Sequence, residues 1–184
     1  VLGPAFDRIV TVEPHLHRTS DLGPVFPGAE ITVLSSAPLL AQAIGSEGAP
    51  LIVGPDGESE AWAAAVAGEL NADHLVFTKV RSGDRQVALT LPAGARIEGR
   101  RVALVDDICS TGSTLKRAIE LLRDAGAASV EIVVAHALFS AEAEAQLRQA
   151  GAVSIASTDS CPHPTNAIPL AGLIAAALKP ELAR

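Results

Sequence analysis

Short runs of β-branched and apolar residues alternate along the chain with longer amphipathic segments. Such runs are typical of strands, and apolar positions three and four residues apart are typical of helices. Strands are predicted at residues 8–12, 51–53, 74–79, 86–91, 101–105, 130–135 and 153–157. Helices are predicted at residues 36–44, 59–70, 114–125, 142–150 and 170–178. Strands alternating with helices favour an α/β fold with a doubly wound, mainly parallel sheet flanked by helices.

A stretch rich in glycine and proline separates the first predicted strand from the first predicted helix. Residues 23–28 read Gly-Pro-Val-Phe-Pro-Gly, a composition typical of a linker or crossover between two units. The chain opens on Val1 rather than on an initiator methionine, so we also expect residues upstream of it.

Composition narrows the classes of function. Apolar residues make up 48% of the 184 residues, enough for a sizeable core, whereas aromatic residues make up 3%. A formal net charge of −7 and the scarcity of stacking aromatic rings disfavour binding to nucleic acid. No apolar run approaches the ~18 residues of a membrane helix, so no membrane contact is expected. Two cysteines, Cys109 and Cys161, are too few for a disulfide framework and predict reduced thiols and a cytoplasmic location.

The strongest chemical signal lies after the strand predicted at 101–105. Two adjacent acids, Asp106 and Asp107, precede a loop of hydroxyl residues and glycine that opens a helix. Hydroxyl and backbone N–H groups at the start of a helix attract anions, whereas carboxylates suit sugar hydroxyls or a cation. The segment therefore predicts a site for a molecule with a hydroxylated ring and a phosphate. The alternative is a helix N-terminus with two exposed acids.

Two further polar clusters, around His15 and Asp56, also follow predicted strands. Ligands of open α/β sheets bind beyond the carboxyl ends of the strands, so we expect these clusters to join the acidic loop in one site. Taken alone, His15 is interpreted as a hydrogen-bonding residue at a strand end, and a transition-metal pair with His17 is a weak alternative. Cys109 and His136 are interpreted as buried structural residues.

The acidic loop resembles the ribose-phosphate loop of type I phosphoribosyltransferases. More closely, nearly the whole chain resembles the C-terminal part of the ribose-phosphate pyrophosphokinase family. The other landmarks come in the family's order: a strand ending in His15, a Pro-Asp turn at Asp56, and the Lys-x-Arg motif of Lys79 and Arg81. Most family members are expected to have aspartate where this chain has Ser110. The resemblance implies that residues 1–28 are the last strand of a preceding domain plus a crossover linker, and that residues 29–184 form a phosphoribosyltransferase-like domain.

The resemblance also implies a reaction and a role for each landmark. The reaction is transfer of the diphosphoryl group of ATP to the C1 hydroxyl of ribose 5-phosphate, giving phosphoribosyl pyrophosphate and AMP, in a homo-oligomer. The ribose hydroxyls would be bound by Asp106 and Asp107. The 5-phosphate would be bound by Ser110, Thr111, Gly112, Ser113 and Thr114. The transferring group would be stabilised by Lys79 and Arg81, and Mg²⁺ would be held by His15 and Asp56.

Two other functions stay open at this stage. A stand-alone phosphoribosyltransferase would consume phosphoribosyl pyrophosphate, but no hood for recognising a base is apparent. A regulatory subunit would bind sugar phosphate or nucleotide without turnover, but such a subunit has no need of Lys79 and Arg81. If the part of the family's proteins that binds ATP lies outside this sequence, we expect the chain to bind ribose 5-phosphate but to catalyse the reaction poorly.

Overall fold

The computed structural model describes residues 5–16, 21–82 and 86–182, with the backbone alone at 79–82, 86–88 and 180–182. It divides into two compact units. The first comprises Val1–Ser36 and Pro169–Arg184, and the second comprises Ala37–Ile168. The predicted domain boundary after residue 28, and the preceding domain that it implies, stay predictions.

Ten strands and five α-helices occur along the described residues. The strands are β1 Arg8–Val12, β2 Glu30–Leu34, β3 Leu51–Gly54, β4 His74–Val76, β5 Thr78–Ser82, β6 Gln86–Thr90, β7 Arg101–Cys109, β8 Ser129–Ala137, β9 Ala152–Thr158 and β10 Asn166–Ile168. The helices are α1 Ala37–Ile44, α2 Glu60–Leu70, α3 Ser113–Asp124, α4 Ala141–Ala150 and α5 Ala171–Leu182, and a short 3₁₀ helix covers Gly57–Ser59. All five predicted helices are present.

Six strands of the second unit form one parallel sheet in the order β10-β9-β8-β7-β3-β4. The chain runs outward from β3 to β4, returns past β3 to β7, and then continues in the other direction to β10. The strand order therefore reverses between β3 and β7. Ligands of such sheets bind in the crevice at this switch point, beyond the carboxyl ends of the strands. The predicted class of fold, a doubly wound and mainly parallel α/β sheet, is confirmed.

Buried side chains cover both faces of this sheet. Val102 and Leu104 of β7 pack in one cluster with residues of α3 and α4. Ala103 and Val105 pack in the other cluster, with residues of α1 and α2. Adjacent residues of β7 thus alternate between the two clusters, as the pleat of a strand requires. A strand buried on both faces has a continuous apolar sequence, and for this reason residues 101–105 were recognisable.

The remaining strands form two small sheets. In the first unit, β1 and β2 pair in parallel, and Arg8 Nη2 donates to the carbonyl oxygen of Ala177 in α5 at 3.2 Å. In the second unit, β5 and β6 form an antiparallel hairpin. None of the helices in the described ranges has the length and apolar character needed to cross a membrane.

Several predicted strand boundaries differ from the structure by one or two residues, and two larger differences bear on the site. β7 does not stop at Val105: Asp106 and Ile108 continue the ladder to β8, and the strand ends at Cys109. The predicted strand at 74–79 is interrupted at Phe77, whose N–H donates to the Gly54 carbonyl oxygen at 3.1 Å and whose side chain is fully buried. The residues before Phe77 join the large sheet, and those after it begin the hairpin.

Two strands were not predicted. Glu30–Leu34 contains the β-branched residues of a strand, but it lies directly after the glycine- and proline-rich stretch. Asn166–Ile168 has only three residues, too few to show any period.

Candidate functional site

The connection between β7 and α3 occupies residues 110–112 at the carboxyl edge of the sheet. Gly112 is the N-cap residue of α3 and has a φ of 72°, in the left-handed region that glycine occupies without strain. Its carbonyl oxygen accepts the N–H of Lys116 at 2.8 Å, the first bond of the helix. The strand thus passes within one turn into a helix N-terminus, where the helix dipole favours an anion.

This loop lines a half-open cavity of about 70 Å³. The residues that line it are Asp106, Ile108, Cys109, Ser110, Thr111, Gly112, Thr114 and Leu115. Five of the seven residues predicted to bind sugar phosphate are therefore brought together around one cavity, and Asp107 and Ser113 are not among its lining residues. Ile108 and Leu115 were not predicted, because an apolar side chain in a strand or helix carries no sign of a ligand.

The two acids are not equivalent. Asp106 and Asp107 are consecutive residues of β7, and consecutive side chains of a strand point to opposite faces. Both residues are half-buried, and the N–H of Asp107 donates to Oδ1 of Asp106 at 3.1 Å. Of the two acids, only Asp106 lines the cavity. Because β7 continues past its predicted end, a ligand in the cavity would therefore meet one of the two carboxylates.

A hydroxyl pair closes the outer part of the loop. Thr111 Oγ1 and Ser113 Oγ lie 3.0 Å apart, and the N–H of Ser113 donates to Thr111 Oγ1 at 3.4 Å. Both residues are exposed, and they flank the N-cap Gly112 at the start of α3. The pair thus places hydroxyl groups beside the N–H groups of a helix N-terminus, a combination suited to phosphate oxygens.

Cys109 lies in the wall of the cavity and is 3% exposed. Burial raises the pKa of its thiol to about 12; the charge of Asp106 adds to the rise, and a hydrogen bond from the Gly112 backbone opposes it. Because the thiolate is the nucleophilic form, this cysteine is a weak nucleophile at neutral pH. The prediction of a buried residue is confirmed.

Asp56 lies in the turn after β3, the neighbour of β7 in the sheet. Its Oδ1 accepts the N–H of Glu58 at 3.0 Å, and the hydroxyl of Ser59 donates to its carbonyl oxygen at 2.6 Å. The N–H of Asp56 also donates to Ser59 Oγ at 3.4 Å, and a capping box between these two residues starts the 3₁₀ helix that leads into α2. The turn sits at the sheet edge where ligands bind, and the Asp56 side chain also has a structural task there.

Lys79 and Arg81 lie in β5, opposite Leu89 and Val87 of β6. The hairpin begins directly after Phe77, at the carboxyl end of β4, so its first strand leaves the same edge of the sheet as the acidic loop. The catalytic role predicted for the two residues stays a prediction.

The predicted metal ligands fall in different units. His15 belongs to the first unit and Asp56 to the second, and their pairing stays a prediction. His17 lies outside the described residues. Within residues 5–16, 21–82 and 86–182, no group of three or more histidine, cysteine, aspartate or glutamate residues is placed to hold a metal ion.

Two histidines near the ends of β8 and β9 have structural partners. His136 Nδ1 lies 2.8 Å from Ser160 Oγ, and it is half-buried rather than part of the core as interpreted. His163 donates from Nε2 to the Phe139 carbonyl oxygen at 3.0 Å, and its Nδ1 accepts the Thr165 N–H at 3.2 Å. This second arrangement fixes the segment that follows β8.

Comparisons with known proteins agree with one another. A model of the phosphoribosyl transferase domain matches residues 32–179. The ribose-phosphate pyrophosphokinase of Pyrococcus furiosus is 30% identical over 168 residues, which cover 91% of this chain and 58% of that protein. That of Methanosarcina acetivorans is 33% identical over 175 residues, which cover 94% of this chain and 60% of the relative.

Among solved structures, the phosphoribosylpyrophosphate synthetase of Mycobacterium smegmatis superposes with a TM-score of 0.77 at 25% identity, covering 96% of this chain and 59% of that one. The chain therefore spans about three fifths of the length of the relatives that it matches.

Proposed function

The chain belongs to the phosphoribosyl transferase domain family, and we propose that it takes part in the synthesis of phosphoribosyl pyrophosphate from ribose 5-phosphate and ATP. The observation that carries the proposal is the cavity at the β7–α3 loop, lined by one carboxylate, two threonine hydroxyls, a serine hydroxyl and the N-cap glycine. It lies at the switch point of the sheet, where this architecture binds ligands. The resemblance of nearly the whole chain to ribose-phosphate pyrophosphokinases supports the same reaction.

Ribose 5-phosphate fits the chemistry of this loop. Its phosphate would meet the N–H groups of the first turn of α3 and the hydroxyls of Thr111 and Thr114. Its ring hydroxyls would donate to Asp106, which lies at the other end of the loop. Because a carboxylate repels phosphate, the separation of acid from helix N-terminus would also fix the direction in which the sugar binds.

ATP would supply the transferred group. The C1 hydroxyl oxygen of the sugar would attack the β-phosphorus of ATP, and the hydroxyl proton would pass to water. The bond from the β-phosphorus to the oxygen that bridges it to the α-phosphorus would break, and AMP would leave with that oxygen. Negative charge on the transferred group needs cations. We propose that Lys79 and Arg81, on the first strand of the hairpin, supply two of them.

Mg²⁺ would supply further charge neutralisation when bound to the phosphates. This ion prefers oxygen and usually keeps most of its waters, with one or two carboxylates from the protein. Asp56 fits that donor chemistry, whereas the imidazole of His15 fits it less well. In this proposal Asp56 would therefore hold the ion and His15 would be the secondary ligand.

A calorimetric titration of ribose 5-phosphate tests the site. We expect binding, and we expect Asp106→Asn to raise Kd about tenfold to a hundredfold, the loss typical of a hydrogen bond to a charged group. Asp124→Asn is the matched control, because this exposed acid lies at the opposite end of α3 and should leave Kd unchanged. Equal effects of the two variants would refute the assignment of the sugar to the loop.

Product analysis separates the proposed reaction from its rivals. With ATP, ribose 5-phosphate and Mg²⁺, formation of AMP and phosphoribosyl pyrophosphate is expected, slowly if parts of the ATP site lie outside this chain. Formation of a nucleotide from phosphoribosyl pyrophosphate and a free base would instead identify a stand-alone phosphoribosyltransferase. Binding without any turnover would favour the regulatory subunit. Sedimentation of the same sample tests the predicted homo-oligomer.

A further inference from the structure

One side chain of another helix lies beside Gly112 of the β7–α3 loop, on the side to which a Cβ atom would project. A Cβ atom placed on Gly112 would be 3.4 Å from Cδ1, 3.5 Å from Cγ and 3.6 Å from Cδ2 of Leu147 in α4. These are van der Waals distances for the added methyl group, so the isobutyl group of Leu147 is the nearest side chain on that side of Gly112 and limits how far the turn can shift towards α4. The two positions are 35 residues apart in sequence.

Leu147 has an unusual place in its helix. It is fully buried, and α4, all of which is described, buries no other residue. The helix is well formed by local interactions: Ser140 Oγ accepts the N–H of Ala143 at 3.2 Å, and Arg148 pairs with Glu144 at 2.8 Å one turn earlier. These features hold α4 together as a helix, whereas Leu147, with the partly buried Ala143 and Ala150 beside it, packs α4 against the core.

The other end of the loop is held by the backbone. The N–H of Leu138, just after β8, donates to the carbonyl oxygen of Cys109 at 2.8 Å. The start of the loop is therefore fixed by this hydrogen bond, and Leu147 lies beside its turn at Gly112.

We propose that Leu147 is a positioning residue for sugar phosphate binding: it holds Gly112 where the N–H groups of the first turn of α3 converge on the phosphate. The inference rests on the function proposed above and adds to it a residue outside the loop. Truncating a buried leucine leaves a cavity into which neighbouring atoms relax. Here the neighbour is the turn that would bind the anion, and a displacement of about 1 Å in a binding site can cost up to a hundredfold in rate.

Leu147→Ala and Leu122→Ala form a matched pair for the test. Leu122 is also fully buried in the same cluster, but it lies more than two turns along α3 from Gly112. Both substitutions remove the same atoms, so both should lower stability by similar amounts. We expect Leu147→Ala alone to raise Kd for ribose 5-phosphate, by about tenfold, and Leu147→Met to restore most of the affinity. If the alanine variants do not fold, Leu147→Val and Leu122→Val replace them.

Hydrogen exchange of the backbone amides of residues 110–113 is the second measurement, and it needs no ligand. Faster exchange in the Leu147 variant than in the Leu122 variant is expected. Equal exchange and equal Kd in the two variants would overturn the inference. If the unaltered chain binds no ribose 5-phosphate, the proposed function fails, and the exchange data alone then decide whether Leu147 positions the loop.

Discussion

Two connections at the carboxyl edge of the sheet follow neighbouring strands and each has an aspartate beside it, Asp56 in the turn after β3 and Asp106 near the end of β7, yet they are built differently. The turn after β3 is stabilised by hydrogen bonds within it: the side chain of Asp56 caps the 3₁₀ helix, and the Ser59 hydroxyl donates to the Asp56 carbonyl oxygen. The loop after β7 lines a cavity, and its neighbours are Leu147 of α4 and Leu138 in the segment after β8. The difference teaches that an acid at a strand end is not by itself a ligand-binding group.

The largest effect is expected in the closed turn. A Cβ atom on Gly54 would lie 2.2 Å from Ser59 Oγ and 2.8 Å from Val76 Cγ1, so Gly54→Ala must displace the capping box or β4. We expect a loss of about 3 kcal/mol in the free energy of unfolding, measured by urea denaturation. Gly57→Ala is the control, because a Cβ atom there meets nothing within 4 Å. Similar losses in the two variants would contradict this account of the turn.

A smaller effect is expected from the cap itself. Asp56→Ala removes the acceptor for the Glu58 N–H and should cost about 1 kcal/mol. Asp56→Asn keeps an acceptor oxygen and should restore most of that stability. If Asp56 also holds Mg²⁺, the asparagine variant should still need more Mg²⁺ for turnover. An asparagine variant as unstable as the alanine variant would show that charge, and not the hydrogen bond, matters in this turn.

In the open loop, substitutions should affect binding more than stability. Thr111→Val removes one member of the hydroxyl pair with Ser113. We expect the free energy of unfolding to change by less than about 0.5 kcal/mol, as at other exposed positions, and Kd for ribose 5-phosphate to rise about tenfold. Thr90→Val is the control, since Thr90 forms a comparable hydroxyl pair with Thr78, 2.9 Å apart, in the hairpin. A loss of stability without a loss of affinity would place Thr111 with the structural residues.

The smallest change in the free energy of unfolding near neutral pH is expected from the ionisation of Cys109. Its folded pKa of about 12 exceeds the ordinary value of 9.0, so the folded state binds the proton more tightly than the unfolded state. The resulting stabilisation is complete below pH 9 and is lost as the pH rises from 9 towards 12. Absorbance of the thiolate in a Cys161→Ser background measures the titration, and the absence of tyrosine keeps the signal clean. A midpoint near 9 in the folded protein would mean that the thiol is reached by water.

The sequence allowed the alternating elements and the acidic loop to be predicted, because both depend on local patterns. The extension of β7 through Asp106 was not predictable, since it depends on pairing with Val134 of β8. The consequence is large, because extended backbone places the two acids on different faces. The role proposed for Leu147 could not be predicted for another reason. A leucine at helical spacing indicates a core position, and the neighbouring sequence does not show that this part of the core supports a loop.

The position of Leu147 beside Gly112 has a consequence for how the molecule responds to ligand. Linkage between two sites is reciprocal: if the docking of α4 favours ligand binding at the loop, ligand binding must favour the docking of α4 by the same free energy. A helix with one fully buried side chain, supported by the partly buried Ala143 and Ala150, is expected to open more readily than the buried strands. Ribose 5-phosphate should therefore slow opening of α4, a segment that contributes no residue to the lining of the cavity.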